Sequence, residues 1–524
     1  MDIFGKKEIA RLKKEWHLER EKYIETINEL KLKLESATKI QNKEIQISEN
    51  EKNGETKIFI QRNRLPNNFI LTDDFKIAFD LIENTKQSIF LTGKAGTGKS
   101  TFIDYLRMET KKKIICLAPT GVAALNIGAK TIHSFFQFPP VVITSNIIEN
   151  VKYKEKTIEI FKKVETIVLD EISMVRADLL EGINYILQKH RNLELPFGGV
   201  QLLFIGDMYQ LPPVVDNKKV VQIRHPDNFV FTGTLYDYFE WMYGGPYFFN
   251  SRTFKKAQVN YYELKEIFRQ KEDASFIGIL NQIREKNIST QLLHKLNERC
   301  NRDISPKSMA EKSIYLASTN ATVKEINESM LKMLKSNEFK YDAVLTGKFE
   351  SEYSEDDYPA EKVLRLKQGS QVMLTKNDPN GNWVNGTIAI IKELDKNQIV
   401  VEINRTPFTI NQETWETYEY VFNVETEMLE QNVVGTFSQY PIKLAWAITI
   451  HKSQGKTFEN VIIDLGNKAF AHGQTYVALS RCTKLNGIIL KRPIAPQDIL
   501  VDDKVIHFIK EMNQRIENKW AINF

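Results

Sequence analysis

Residues 93–100 read GKAGTGKS and match the pattern G-x-x-x-x-G-K-[ST], which constrains this chain more than any other part of its sequence. The run 88–92 before it is mostly apolar and β-prone, and residues 101–107 can continue as a helix. The glycines allow backbone N–H groups to close around a β-phosphate, and the N-terminus of the following helix adds its dipole. Lys99 is predicted to reach the β- and γ-phosphates, and the Ser100 hydroxyl to bind Mg²⁺. The residues expected to hold the nucleotide in this loop are Gly93, Ala95, Gly96, Thr97, Gly98, Lys99, Ser100 and Thr101.

Length and composition narrow the class of protein. A chain of 524 residues is too long for one hydrophobic core and suggests about three or four domains. It has no run of about 18 apolar residues, so no transmembrane helix is expected, and its N-terminus resembles neither a signal peptide nor a transit peptide. Three widely spaced cysteines indicate neither a disulfide framework nor a zinc cluster. We therefore expect a cytoplasmic protein without a membrane partner, and the net charge of +5 is a weak indication of a polyanionic one.

The first 57 residues differ from the rest of the chain. Ile9, Trp16, Tyr23 and Leu30 recur every seven residues in a background rich in Lys and Glu. This spacing predicts a long helix with a weak heptad seam, followed by a polar linker. Three interpretations stay open: a solvated helix that packs on its own protein, a helix for self-association or for a partner protein, and a disordered segment.

From about residue 69 onward, short apolar runs alternate with helical segments. The runs are residues 114–118, 166–170 and 201–206, and a second set includes 314–317 and 461–464. Continuous apolar strands separated by helices predict parallel sheets covered on both faces. Residues 363–425 are instead rich in β-branched residues, turns and alternation, which predicts a small all-β insertion.

Three polar residues follow predicted strands of the first set. Asp170 comes directly after the apolar strand residues 167–169, where its carboxylate is placed to hold Mg²⁺, directly or through water. Glu171, next to it, is a candidate to orient and deprotonate an attacking water. Gln210 follows another strand, and its amide is placed to contact both the γ-phosphate and that water. The pair of acids is a weak signal alone and becomes strong because it follows the phosphate loop at a plausible separation.

Taken in order, these motifs resemble those of the Pif-type branch of superfamily 1 DNA helicases, which is related to RecD and to the phage Dda helicases. The phosphate loop, residues 170–174 and residues 206–213 are similar to motifs I, II and III. The other similar blocks are residues 118–124 with 131–135 (motif Ia), 178–201 (the signature segment of the branch), 264–270 (motif IV), 449–455 (motif V) and 476–481 (motif VI). The resemblance covers roughly residues 69–500 and leaves out the N-terminal helix.

The resemblance implies an α/β fold with two RecA-like parallel-sheet P-loop domains, a small SH3-like β insertion and an N-terminal helical extension. The implied boundaries are 1–57 for the helix and linker, 58–250 for the first RecA-like domain with a pin-like insertion at about 135–165, 251–344 and 441–524 for the two parts of the second, and 345–440 for the SH3-like insertion. The implied activity is that of an ATP-dependent helicase, which translocates 5′→3′ on single-stranded DNA and unwinds duplex in repair, recombination or replication-associated maintenance.

The resemblance also assigns roles around a cleft that binds ATP and Mg²⁺. The implied catalytic residues are Lys99, Glu171, Gln210, Arg269 and Arg481, and the implied Mg²⁺ ligands are Ser100 and Asp170. Arg269 and Arg481 act as cationic fingers from the wall opposite the phosphate loop, where a guanidinium stabilises charge that spreads over the γ-phosphate. Gln454 and Gly455 lie near that phosphate.

Single-stranded DNA and its junction with duplex are the implied partners. The implied DNA-binding residues are Thr120, Gly121, His133, Ser134, Trp383, His451, Lys452 and Ser453. Contacts to phosphates carry no sequence information, so binding is expected to tolerate any sequence and to weaken with salt. Trp383 either stacks on a base or packs under the β insertion. The aromatic run 135–140 either abuts the duplex junction or packs on the first domain.

One position departs from the family's pattern. Family members often carry a glutamine before the phosphate loop that reads adenine, and Phe75 stands at that position here. Phe75 either stacks on a base or belongs to the core, so selectivity for ATP stays open.

Two further functions are consistent with the sequence: a DNA-stimulated ATPase that remodels nucleoprotein without separating strands, and a regulatory subunit held by the N-terminal helix. The complete catalytic set argues against an inactive ATPase, and no additional carboxylate–lysine cluster indicates a nuclease.

Overall fold

The computed structural model places the phosphate loop at the end of a strand in a parallel sheet. The strands of this first α/β region and of a hairpin attached to it are β1 (Ile89–Gly93), β2 (Ile114–Ala118), β3 (Lys130–Thr131), β4 (Thr166–Leu169), β5 (Gln201–Gly206), β6 (Val220–Arg224), β7 (Val230–Thr234) and β8 (Asn260–Leu264). Six of them form one sheet in the order β3-β2-β4-β5-β1-β8 with every pair parallel, whereas β6 and β7 pair with each other. All residues of β1, β4 and β5 are buried, as strands covered by helices on both faces require.

The structure describes part of the chain. The described residues are 65, 69–139, 141–149, 151–191, 194–215, 220–224, 230–270, 273–301, 313–351, 353, 358–376, 378, 382–383, 387–396, 398–423 and 428–522. They all fall within residues 62–524, which form one compact unit. The predicted N-terminal helix with its heptad seam, and with it the proposed partner or self-association surface, lies outside the described residues.

Helices cover the first sheet. They are α1 (Asp73–Glu83), α2 (Lys99–Glu109), α3 (Gly121–Asn126), α4 (Ile132–Phe136), α5 (Ser145–Glu149), α6 (Glu155–Lys163), α7 (Ala177–Arg191), α8 (Leu235–Tyr243) and α9 (Arg252–Lys256). Their starts follow ordinary capping chemistry: Thr72 accepts a hydrogen bond from the Phe75 N–H at the start of α1, and Thr131 accepts one from the Ser134 N–H at the start of α4.

The chain also forms a second parallel sheet, and a set of antiparallel strands is inserted in the sequence between two of its strands. Its own strands are β9 (Ile314–Ala317), β20 (Ala447–Thr449), β21 (Val461–Asp464) and β22 (Ile488–Leu490), in the order β20-β9-β21-β22. Between β9 and β20 lie β10 (Glu338–Asp342), β11 (Val344–Gly347), β12 (Val363–Lys367), β13 (Gln371–Leu374), β14 (Ile388–Leu394), β15 (Ile399–Ile403), β16 (Thr406–Ile410), β17 (Glu413–Asn423), β18 (Met428–Gln439) and β19 (Ile442–Leu444). The remaining helices are α10 (Ala274–Arg284), α11 (Thr290–Asn297), α12 (Asn320–Met333), α13 (Lys348–Ser351), α14 (Gln474–Leu479) and α15 (Asp503–Ile522).

The fold class predicted from the sequence is confirmed, but three assignments within it change. Strand β8 pairs with β1, so the first sheet extends past the predicted boundary at residue 250. The antiparallel insertion begins with β10, which pairs with β12, and ends with β19, which pairs with β13; it is therefore wider than 345–440. Helix α15 lies in the part of the sequence assigned to the second domain, yet Phe508 stacks on Phe249 of the first region with ring centroids 4.2 Å apart.

The aromatic run of the predicted pin belongs to the core. Phe135, Phe136 and Phe138 are at most 6% exposed, and Phe136 stacks on Phe161 of α6 with centroids 5.6 Å apart. Of the two alternatives for these side chains, the structure supports packing on the first domain. Burial of apolar rings away from water lowers the free energy of the folded chain. None of the helices that the structure describes combines the length and the apolar character needed to span a bilayer.

Candidate nucleotide cleft and DNA path

The phosphate loop is shaped by its glycines. Gly96 and Gly98 have φ angles of +85° and +81°, which side-chain-bearing residues rarely adopt. A Cβ on Gly96 would lie 2.5 Å from the Cβ of Arg269, because the chain after β8 crosses the loop here and Phe268 donates its N–H to the Gly96 carbonyl at 2.8 Å. The loop is therefore held from outside by the segment that carries Arg269.

Lys99 lies across the mouth of the loop. Its Nζ donates to the carbonyls of Gly93 at 2.7 Å and Lys94 at 3.0 Å. Burial lowers its pKa, against the opposing effect of nearby carboxylates, of which Asp207 is the strongest. Phosphate oxygens bind an ammonium group more strongly than neutral carbonyls do, so a bound nucleotide would draw this side chain from its own loop.

Asp170 and Glu171 lie beyond β4, as predicted. Asp170 is buried, and desolvation together with Glu171 raises its pKa. A carboxylate in that position is stabilised by a cation, and Ser100 presents an exposed hydroxyl at the start of α2. No group of three or more His, Cys, Asp or Glu side chains able to hold a metal occurs among the described residues. Two hard oxygen donors fit an ion such as Mg²⁺ that takes its other ligands from phosphates and water.

The guanidinium groups of Arg269 and Arg481 both hydrogen-bond to Ser480, and Arg269 lies beside the phosphate loop. Burial and the neighbouring Arg481 lower the pKa of Arg269 to about 9, and burial lowers that of Arg481 to about 10. Within the described ranges no salt bridge reaches either group. A cation beside a phosphate loop, as Arg269 is here, attracts an anion. The predicted location of Arg269 is wrong: the residue follows β8 of the first sheet, whereas the sequence placed it on the wall opposite the phosphate loop.

Arg269 and Arg481 are both held by backbone carbonyls. Arg269 donates to the carbonyls of Ser480 at 3.3 Å and Gly455 at 3.5 Å. Arg481 is 1% exposed and donates to the carbonyl of Val477 at 2.9 Å and to the Ser480 hydroxyl at 2.8 Å. Arg269 therefore bridges the two α/β regions, whereas Arg481 is bonded within its own.

Further hydrogen bonds cross the cleft. Gln454, assigned to the nucleotide site, donates from Nε2 to Glu171 Oε2 at 2.9 Å. The Tyr476 hydroxyl bonds to the Ala95 N–H and to Asp207, each at 3.1 Å. Sequence reasoning gave no role to Tyr476 or Asp207, although both lie inside recognised motif blocks.

Phe75 is a core residue, as one of its two predicted alternatives had it. It is 2% exposed and packs edge-on against Phe102 with centroids 5.3 Å apart. Phe268 is the exposed aromatic at this end of the loop: it is 36% exposed, and its ring lies 3.6 Å from where a Cβ on Gly98 would be. Its position directly before Arg269 is the sequence signal that identifies it.

Most of the residues predicted to bind DNA follow carboxyl ends of parallel strands. Thr120 and Gly121 follow β2, and Thr120 caps α3 by accepting a hydrogen bond from the Ala123 N–H at 3.2 Å. Four other predicted DNA-binding residues follow parallel strands and are at least partly exposed: His133 and Ser134 after β3, and His451 and Lys452 after β20. Burial lowers the pKa of both histidines, which favours their neutral forms.

Two of the predicted DNA contacts need correction. Ser453 is fully buried and donates its hydroxyl to the Ile450 carbonyl at 2.7 Å, so that group is already satisfied away from any surface. Trp383 packs edge-on against Phe408 with centroids 5.5 Å apart, at the border of the insertion's apolar core. The packing alternative therefore describes Trp383.

Comparisons with known proteins agree with this geometry. Residues 70–291 match a family model described as PIF1-like helicase. The crystal structure of Bacteroides sp Pif1 in complex with ADP-AlF4 is 34% identical, with 85% of this chain and 98% of that chain covered and a TM-score of 0.76. The same Bacteroides protein bound to single-stranded DNA covers 85% of this chain at 34% identity, with a TM-score of 0.60. The present arrangement is thus closer to the first of these structures.

Two curated relatives extend the comparison. The ATP-dependent DNA helicase Pif1 of Bdellovibrio bacteriovorus is 29% identical over 437 residues, which cover 83% of this chain and 90% of the relative. The ATP-dependent DNA helicase PIF1 of Candida albicans is 30% identical over 515 aligned residues. That match covers 81% of this chain but 54% of the longer Candida protein.

Proposed function

As a member of the PIF1-like helicase family, this chain is an ATP-dependent DNA helicase, and we propose that it moves 5′→3′ along single-stranded DNA and separates duplex ahead of it. DNA repair, recombination and replication-associated maintenance are the processes in which such an activity would be used. The observation that carries the proposal is the cleft itself. The segment that carries Arg269 lies against the phosphate loop, Arg269 donates across the cleft to the carbonyls of Ser480 and Gly455, and Gln454 of the second region bonds to Glu171 of the first.

Each group at the cleft has a role in hydrolysis of the γ-phosphate. Lys99 neutralises charge on the β- and γ-phosphates, and Glu171 accepts a proton from the attacking water. Gln210 orients that water through its amide. Arg269 and Arg481 stabilise the negative charge that spreads over the γ-phosphate oxygens in the transition state.

We assign Mg²⁺ to Ser100 and Asp170, where the ion would neutralise phosphate charge when bound. The fit rests on two oxygen donors at the phosphate loop and on the raised pKa of Asp170, which a neighbouring cation would lower again. Phe268 is our candidate for contact with the nucleotide base, since it is the exposed ring beside the loop while Phe75 is buried.

The DNA strand is proposed to pass over the carboxyl ends of both parallel sheets. Thr120, Gly121 and Ser134 offer amides and hydroxyls on the first sheet, while His451 and Lys452 offer donors on the second. These groups suit phosphates rather than base edges, so affinity should tolerate sequence and fall with salt. The phenylalanines of the predicted pin are buried, and the exposed Val141 is the apolar side chain of that segment that we propose for contact with a duplex junction.

Two assays test the proposal. ATP hydrolysis by the purified chain should rise strongly when single-stranded DNA is added. Duplexes with a 5′ single-stranded tail should then be unwound in preference to otherwise identical duplexes with a 3′ tail. Unwinding from 3′ tails alone would contradict the proposed polarity.

The same assays separate the alternatives. Stimulated hydrolysis without strand separation on either tail would favour an ATPase that remodels nucleoprotein. Slow hydrolysis that is indifferent to DNA would favour a regulatory subunit.

A further inference from the structure

One buried hydroxyl joins the two α/β regions at the phosphate loop. Tyr476 lies on α14 of the second region and is 4% exposed. Its Oη accepts a hydrogen bond from the Ala95 N–H and donates to Asp207 Oδ2, both at 3.1 Å. Burial and the charge of Asp207 raise the pKa of this phenol, so it stays protonated and remains a donor. A single side chain therefore touches two motifs of the opposite wall.

Asp207 connects this contact to the residue that senses the γ-phosphate. The carboxylate is fully buried and also accepts hydrogen bonds from the Tyr209 N–H at 3.2 Å and from Gln210 Nε2 at 3.4 Å. Arg284 of α10, in the second region, donates to Asp207 at 3.3 Å and lies over the Tyr209 ring at 4.3 Å. Asp207 is thus bonded to Gln210 and to two groups from the second region.

The backbone before Tyr476 is in close contact with the same segment. Gly473 has a φ of +72°, and a Cβ there would lie 2.5 Å from the carbonyl oxygens of both Tyr209 and Gln210. Because there is no space between these backbones, a shift of α14 must be transmitted to the Gln210 segment or break the contact.

We propose that Tyr476 is a positioning residue for ATP hydrolysis. Its hydroxyl couples the phosphate loop and Gln210 to the segment that carries Arg481. Through this coupling, DNA bound by the second region alters the rate of hydrolysis. The inference rests on the proposed function and adds to it a specific route for the response to DNA. Tyr476 and Arg481 lie on one short segment, α14 and its end, so the hydroxyl fixes where Arg481 stands relative to the loop. His451 and Lys452, the proposed DNA contacts, belong to the same second region.

The test uses the full chain with Tyr476→Phe, which removes one oxygen and keeps the ring. Turnover with saturating single-stranded DNA should fall about tenfold, since a buried hydrogen bond to a carboxylate is lost from the arrangement that hydrolyses ATP. KM for ATP should change by less than about threefold, and the ratio of DNA-stimulated to DNA-free turnover should fall.

Tyr315→Phe is the matched control. Tyr315 is 1% exposed, and its hydroxyl likewise donates to a carboxylate, Asp464, at 2.6 Å, but both partners belong to the second region, so this bond does not cross the cleft. It should lower the melting temperature without changing the stimulation ratio. If Tyr476→Phe also lowers only the melting temperature, or lowers both turnover rates in proportion, the positioning role is wrong.

A double-mutant cycle that combines Tyr476→Phe with Asp207→Asn measures how far the effects of the two substitutions on the stimulation ratio depend on each other. If the bond between the two side chains carries the coupling, their effects on the stimulation ratio must be non-additive. Additive effects would overturn the proposal. If DNA does not stimulate ATP turnover by the wild-type protein, the proposed function is contradicted. If DNA stimulates turnover equally in the wild type and in Tyr476→Phe, only this inference is contradicted.

Discussion

The two walls of the nucleotide cleft are built in different ways. The phosphate-loop wall consists of consecutive residues, 93–100, between β1 and α2, with the Phe268 N–H bonded to the Gly96 carbonyl. The opposite wall gathers Gln454, Tyr476 and Arg481, which come from separate segments of the second region. A local sequence pattern therefore supplies all residues of the first wall, whereas the second exists only when the second region is folded and packed against it.

The walls also differ in how ready they are for a phosphate. Lys99 is already at the loop, and a nucleotide needs only to replace two carbonyls as its partners. Arg481 is bonded to groups of its own region, including the Ser453 carbonyl at 3.4 Å, and must leave them to reach a phosphate. The difference implies that the loop wall binds the nucleotide and that the other wall, by rearranging, determines how fast it is hydrolysed.

Lys99→Ala should have the largest effect on activity. The loss of a charged donor to both phosphates should lower kcat/KM for ATP by about 10⁴-fold, because binding and transition-state stabilisation are both affected. Steady-state hydrolysis with DNA present measures it. Lys94→Ala, in the same loop, changes a position at which the pattern G-x-x-x-x-G-K-[ST] requires no particular side chain, and it should retain most of the turnover. Equal losses in both variants would mean that the loop is not the phosphate site.

Arg481→Ala should come next and act on a different constant. Turnover should fall by about 10³-fold while the affinity for ATP changes little, since a guanidinium finger acts in the transition state. Single-turnover hydrolysis and nucleotide titration separate the two quantities.

Arg191→Ala provides the comparison for Arg481. Arg191 likewise donates to carbonyls, those of Phe161 at 2.9 Å and Gly198 at 2.8 Å, but within the first region. It should cost stability and leave turnover per folded molecule unchanged. If Arg481→Ala weakens DNA binding instead of turnover, the distinction between the walls fails.

Phe268→Ala should have the smallest effect of the three. This residue lies on the segment between the walls, and loss of the ring that we propose to contact the base should raise KM for ATP about tenfold, with turnover nearly unchanged. Phe268→Tyr keeps the ring face and should behave as wild type. A KM that is unchanged in Phe268→Ala would place the base elsewhere in the cleft.

The sequence predicted the strands of both parallel sheets well, because buried parallel strands are continuous apolar runs. The runs 114–118, 201–206, 314–317 and 461–464 coincide with β2, β5, β9 and β21. The boundaries between regions were less accurate. Residues 260–264 form the edge strand of the first sheet although the sequence placed them in the second domain, since the choice of a neighbouring strand depends on pairing across the sheet.

What the sequence determined by itself is the chemistry that short segments can encode. The glycine pattern with Lys99 and Ser100, the acids after β4 and the order of the motif blocks were sufficient to predict a nucleotide cleft and the family. These features depend on a backbone conformation or on neighbours a few residues away, so they can be read along the chain.

Only the tertiary structure decided which groups meet across the cleft. Residues 269 positions apart in sequence, Asp207 and Tyr476, share a buried hydrogen bond, while Ser453, which lies inside a recognised motif, points into the core. Long-range contacts of this kind depend on how two regions pack, and packing is set by shape and burial over the whole surface rather than by any local pattern. For that reason the motifs identified the site, and the fold selected the residues within it that touch.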